Sequence, residues 1–152
     1  MTTSSAVPVV DLGPGWTQVE QNVTPNHVQQ VVERQSTRVT VMLERAVTGV
    51  FREAFPSGEH DLRLAVDPVP DPDGLFDLLS SFAQQFSTLD PECRRLIYAA
   101  PEGDLASIAT AERAGFRYVV DVEVVTGSYS LMVVEPAWVT AVDMDLDRVP
   151  QT

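Results

Sequence analysis

Three side chains in this sequence combine proton chemistry with a setting that could aim it. His60 opens a strand-like run, Glu123 sits within the strand-like run 116–125, and Tyr129 begins the strand that follows. Imidazole, carboxylate and phenol are the usual general acids and bases, so these are the candidate catalytic residues. Each also has a plainer use. Glu123 alternates with Val122 and Val124 as a solvent-facing strand residue would, Tyr129 suits cross-strand packing, and His60 suits a strand edge. Other chemistries are excluded more firmly. All ten basic residues are Arg, so there is no lysine nucleophile and no Schiff base. No serine lies in a Gly-x-Ser-x-Gly setting, which removes the hydrolase elbow. Asp143-Met144-Asp145-Leu146-Asp147 has the spacing of a calcium loop but lacks the following Gly and the closing Glu. His27, His60 and Cys93 are too few for zinc, so no metal is expected.

Those residues must be positioned by a single domain. A chain of 152 residues supports one well-buried core, and 44% apolar with 21% charged residues is ordinary for a folded protein. The net charge of −12, from 22 acids against 10 bases, opposes a nucleic-acid partner. One cysteine forms no internal disulfide, which suits a reducing cytoplasm, and the Arg-only, Ala/Val/Asp-rich usage suggests a bacterial source. Neither a basic leader nor a long apolar run appears, so no membrane association is expected.

Periodicity predicts the elements. Apolar residues at 28, 31, 32, 39, 42, 43, 46, 47, 50, 51 and 54 step by three and four, and Thr24-Pro25 is a good helix start. A helical segment over 24–55 follows, broken near Gln35-Ser36-Thr37; the β-branched run 37–41 leaves a strand open there. Short strands are expected at 7–10 and 16–23. Then come a strand at 60–66, a Pro/Asp loop at 67–74, a helix over 75–87, a strand at 94–99, a helix over 104–114 capped by Asp104 and closed by Gly115, and a hairpin of 117–125 with 129–135. That alternation is a mixed α/β sheet with crossover helices.

The second half, residues 60–135, resembles the GNAT superfamily of acyl-CoA-dependent N-acyltransferases. Ala111-Glu112-Arg113-Ala114-Gly115-Phe116 before a strand is similar to the Tyr-x-x-x-Gly-Phe with which that family's fourth helix ends. Leu89-Asp90-Pro91-Glu92-Cys93-Arg94-Arg95 and Leu131-Met132-Val133 look most like the siderophore-biosynthesis and aminoglycoside-type acyltransferases. The resemblance implies acyl transfer from acetyl-CoA or another acyl-CoA to an amine. It also implies that Val66, Pro68, Gly74 and Leu75 belong to the cofactor loop. In that family the loop reads Val-x-Pro-x-x-Arg/Gln-Gly-x-Gly-x-Gly/Ala, and its glycines and helix N-terminus receive the pyrophosphate.

Here Val66-Asp67-Pro68-Val69-Pro70-Asp71-Pro72-Asp73-Gly74-Leu75-Phe76 keeps the register but reverses the chemistry. Asp71 replaces a cation or amide, Pro72 removes a donor, and Phe76 fills an opening. Asp73 is expected to cap the helix with its own carboxylate. Ala111 stands where the family's general-acid Tyr would be, and Asp104 where an Asn is frequent. The expected organisation is a tail at 1–6, one GNAT-like domain at 7–136 with a helical N-terminal third and a C-terminal β-hairpin, and an acidic tail at 137–152 packed on the surface. The alternative function is a non-catalytic binding or assembly module of the same fold. A homodimer is expected through 28–54 or an edge formed by 129–135, because the sheet looks two strands short.

Overall fold

The computed structural model of the chain describes residues 6–13, 15–49, 55 and 58–136. Seven strands form one sheet: β1 (Thr17–Thr24), β2 (His27–Arg34), β3 (Thr37–Arg45), β4 (Leu62–Asp67), β5 (Leu96–Pro101), β6 (Arg117–Val124) and β7 (Gly127–Val134). Two helices, α1 (Pro72–Leu89) and α2 (Leu105–Arg113), follow β4 and β5, and a 3-10 turn spans Ala46–Thr48. The strand order is β1-β2-β3-β4-β5-β7-β6. Every neighbouring pair is antiparallel except β4 with β5.

From β4 onward the elements lie where periodicity predicts them, α/β order and final hairpin included. The N-terminal third does not. Residues 24–45 form no helix; they complete a three-stranded meander. The misreading has a simple origin. A step of four is shared by the helical repeat and the strand repeat, so Val28/Val32 and Val39/Leu43 satisfy both. In β2 the buried residues are Val28, Gln30 and Val32; in β3 they are Val39, Val41, Leu43 and Arg45. Strict alternation of this kind is the strand signature, and the β-branched Val and Thr content supports it.

Thr24-Pro25 therefore opens a two-residue hairpin connection and not a helix, and Gln35-Ser36 makes the next one, with Gln35 at φ 57°. The strand left open at 37–41 exists as β3. Residues 7–10 join no strand, although the Val7 amide donates to the Pro25 carbonyl (3.0 Å). The sheet is not two strands short, and β7 is interior, so the edge expected at 129–135 belongs to β6. The stripe expected at a dimer interface is split among strands, and its last residues, 50–54, lie outside the described residues, as does the tail at 137–152.

α1 lays Leu75, Leu78, Leu79, Phe82 and Phe86 on one face of the sheet. Each such side chain contributes about 1.5–3 kcal/mol on burial, so this helix anchors the core. It meets Leu62, Leu64, Leu96 and Tyr98 from the sheet together with Ala111 and Phe116. A second cluster of Ile97, Val122, Leu131 and Val133 with Ala46 and Phe55 lies on the other face.

At the N-terminal ends of β4 and β5 the packing is ionic. Arg45 reaches Asp90 at 2.5 Å, both side chains almost wholly buried, while Arg95 pairs with Asp61 and Arg63 with Glu44. This end ties β3, β4 and the α1–β5 turn together.

Candidate functional site

β4 and β5 run in parallel through only three residue pairs, Leu62 with Leu96, Arg63 with Ile97 and Leu64 with Tyr98. Beyond them the strands part. β4 stays paired to β3 as far as Asp67, and β5 stays paired to β7 as far as Pro101. The sheet thus forks, and residues 65–67 face 99–101 across a gap with backbone groups that no longer pair with each other. α1 starts from the tip of β4 and α2 from the tip of β5, so both helix N-termini stand at the open end. Ligands of parallel sheets bind at this kind of place, beyond the carboxyl ends of strands that separate.

The loop after β4 does not offer its amides. Asp71, not the expected Asp73, is the N-cap of α1; its carboxylate accepts from the Gly74 amide (3.4 Å), and its carbonyl accepts from the Leu75 amide (2.9 Å). Asp73 lies in the first turn and adds a second carboxylate. Gly74 keeps its place for a reason unrelated to phosphate. A Cβ there would meet Asp71 Oδ1 at 3.0 Å, Pro70 at 3.4 Å and Trp16 at 3.5 Å, so the space glycine leaves is already filled. Val66 and Leu75 are core residues, and Pro68 is an exposed residue after a cis peptide bond. Phe76 lies under the Arg113 guanidinium, 4.8 Å from its ring centre. Arg34 holds Asp77 at 2.5 Å, and its pKa is pushed up by that bond and by the nearby charges of Asp77, Asp71 and Asp73.

The other wall of the open end belongs to α2. Asp104 caps this helix, accepting from the Ser107 amide (3.1 Å) and from the Ser107 hydroxyl (2.7 Å). One turn on, the Thr110 hydroxyl donates to the Ala106 carbonyl at 2.7 Å. Between α2 and the loop lies a cleft of about 220 Å³. Val69, Pro70, Pro72 and Leu75 line one side, and Asp104, Ala106, Ser107 and Thr110 the other.

Behind Ser107 stands Tyr98, the last β5 residue before the fork. It is 1% exposed, and its hydroxyl makes no well-formed hydrogen bond. Burial pushes the phenol up to about 12 against a smaller downward pull from neighbouring Ser107, so it stays protonated at neutral pH.

The sequence-predicted acid–base candidates are not brought together. His60 precedes β4 in a turn at the ionic end, with its Nε2 2.9 Å from Glu92. Glu123 is exposed on edge strand β6, opposite Ser128. Tyr129 is paired to Pro101, but its ring packs with the cluster on the face away from the helices, and its hydroxyl donates to Thr126 Oγ1 (3.1 Å). Ala111 is fully buried, so no phenol takes the family's place on α2. The residues missed were Tyr98, Ser107 and Thr110. The signal available was the spacing Asp104, Ser107, Thr110, three polar residues in steps of three at the start of a helix.

No protein-family model matches the sequence, and no curated protein does. Solved structures do match. An uncharacterised protein from Bacillus halodurans superposes with a TM-score of 0.64 at 16% identity, over 78% of this chain and 63% of that one. The aminoglycoside acetyltransferase AAC(6')-Ib in complex with coenzyme A superposes at 0.60 and 14% identity, over 74% and 68%. The same enzyme with paromomycin and acetyl-CoA gives 0.60 and 13%, over 74% and 66%. This chain therefore spans about two-thirds of the length of the structures it matches. At these identities the likeness speaks for the fold, and the fold is that of the GNAT acetyltransferases.

Proposed function

We propose that the chain seats an acyl-CoA thioester in the fork between β4 and β5 and serves acyl transfer to an amine, holding its donor by the pantetheine arm and not by the pyrophosphate. The observation that carries this reading is the parting of β4 from β5 after three residue pairs, with both helix N-termini at the open end. Edges 65–67 and 99–101 offer unpaired strand backbone, which is what the amides of an extended pantetheine arm require. AAC(6')-Ib, which shares the fold, is an acetyltransferase whose structures hold coenzyme A or acetyl-CoA.

The pyrophosphate portion fits poorly. Asp71 occupies the Gly74 amide, Pro72 has none to give, and Asp71 with Asp73 places two carboxylates where two phosphate charges would come. At about 5 Å each such encounter costs roughly 0.8 kcal/mol in a water-like dielectric, and four of them cost about 3 kcal/mol. The thioester would supply the acyl group; the chain supplies a narrow, partly apolar seat.

The second reading, a non-catalytic binding or assembly module, is favoured by the same Asp71 and Pro72 and by buried Ala111. Calorimetry separates the two. Acetyl-CoA should bind no more than a few-fold tighter than S-acetylpantetheine, which lacks the pyrophosphate. Asp71→Ser with Pro72→Gly, which keeps a capping side chain and restores an amide, should tighten acetyl-CoA alone by about tenfold, or 1.4 kcal/mol. Heat from neither ligand would leave only the module.

A further inference from the structure

We infer that the cavity between residues 9–13 and the β1–β2 pair is a binding site for a small, flat, uncharged ring with an amide edge, a carbonyl beside an N–H. The site is separate from the fork, since β3 stands between β2 and β4, and it does not depend on acyl transfer.

The cavity is built around a buried amide. In β2 the core phase runs Val28, Gln30, Val32, and Gln30 is only 4% exposed. A polar side chain in that phase is costly unless its groups are paired. Gln30 Nε2 donates to the Val10 carbonyl (3.3 Å) and to Gln18 Oε1 (3.2 Å), which uses both amide hydrogens and fixes the head. Its Oε1 has no hydrogen-bond partner among the described residues, yet it is not one of the sealed-off polar atoms of the core. The wall therefore holds a fixed, reachable acceptor. Residues 9–13 roof the space. Besides Gln30, Gln85 on α1 pins them: its Nε2 donates to the Asp11 carbonyl (2.6 Å) and its Oε1 accepts from the Asp11 amide (3.1 Å).

Trp16 is the second, independent observation. Its indole is part of the same cavity wall, and its buried Nε1–H has no acceptor. The Arg34 guanidinium, 5.4 Å from the ring centre, steadies the ring. A carbonyl lodged against this wall would give the indole the acceptor that the protein withholds. Gln18 Nε2 at the rim is a further donor. Gln30 thus asks for an N–H, while Trp16 and Gln18 ask for a carbonyl. Val10 and Val32 offer apolar surface to the ring between them.

Charge and size narrow the ligand further. Asp11 is the one charged lining residue and is exposed; deeper in, an ion would meet only uncharged amides and an indole and would lose its hydration unpaired. The volume, about 250 Å³, suits one ring and falls below the usual range for larger organic ligands.

The test uses 2-pyridone as the probe and nitrogen-15 NMR of the full chain, following the side-chain amides of Gln18 and Gln30 and the indole of Trp16. Saturable shifts in all three are expected. N-methyl-2-pyridone, which lacks the N–H, should bind at least fivefold more weakly, and benzoate and benzylammonium should shift none of the three. Gln30→Met keeps the length and removes the amide, and it should weaken 2-pyridone at least fivefold. Because that change also releases the Val10 carbonyl, Gln18→Met on exposed β1 covers the case of a poorly folded variant and should weaken binding two- to threefold. Absence of saturable shifts, equal binding of N-methyl-2-pyridone or either ion, or unchanged binding in both variants overturns the inference. Displacement of 2-pyridone by acetyl-CoA would overturn the claim of a separate site, and binding of both together supports it.

Discussion

Cys93 and Tyr98 are buried, ionisable and neutral, and each makes stability depend on alkali. Burial pushes the Cys93 thiol from an ordinary 9.0 up to about 12, with Asp90 and Asp61 pushing the same way and the Arg95 backbone pulling back. Tyr98 rises from 10.0 to about 12, also through burial. Both groups lose their protons more readily when the chain is unfolded. Their neutral, buried forms are therefore no handicap below pH 9, and stability falls as pH climbs from 9 toward 12. Each group gives a slope of about 1.4 kcal/mol per pH unit once its unfolded form is ionised. Urea midpoints should hold steady from pH 7 to 8.5 and drop above it, and Cys93→Ala should flatten the part of the fall that begins near pH 9. Cys93 was visible in the sequence as the single cysteine, but Tyr98 was not, because nothing in Arg95-Leu96-Ile97-Tyr98 says which alternate residue will face a helix.

Among the elements, the junction of β3, β4 and the α1–β5 turn depends on charges held out of water. Arg45 and Asp90 are nearly inaccessible, and Arg45 also donates to the His60 carbonyl at 2.8 Å. Removing one member strands the other, at a cost of about 3–5 kcal/mol, whereas replacing both by apolar residues of similar size can be close to neutral. Asp90→Ala should therefore unfold at much lower denaturant than wild type, and Arg45→Met with Asp90→Leu should recover most of the loss. Arg45 also shows why this region was hard to read. It occupies the buried phase of β3 after Val39, Val41 and Leu43, so the alternation ends on a cation and looks broken. The elements from β4 onward were legible because Pro, Gly and capping Asp residues punctuate them. β2 and β3 were not, since Thr24-Pro25 suits a helix start as well as a hairpin connection, Gln35-Ser36 carries no strong breaker, and a spacing of four fits either repeat. The loop after β4 lies where the sequence places it, and its carboxylate does cap α1. The cap itself is Asp71, two residues earlier than expected, because Pro72 suits the first helical position.

For the whole molecule, the fork has a mechanical meaning. The sheet is two stiff plates, β1 to β4 on one side and β5, β7 and β6 on the other, joined along a seam three rungs long. Buried ion pairs brace the closed end, and α1 against α2 spans one face. That seam is the narrowest backbone join in the sheet, so a ligand lodged in the gap would bear on both plates and act as a wedge between them. Backbone amides of 65–67 and 99–101 should exchange with deuterium faster than those of 62–64 and 96–98 in the free protein. A ligand that fills the gap should slow the outer set and leave the inner one unchanged. Uniform protection along both strands would mean that the opening is a fixed notch.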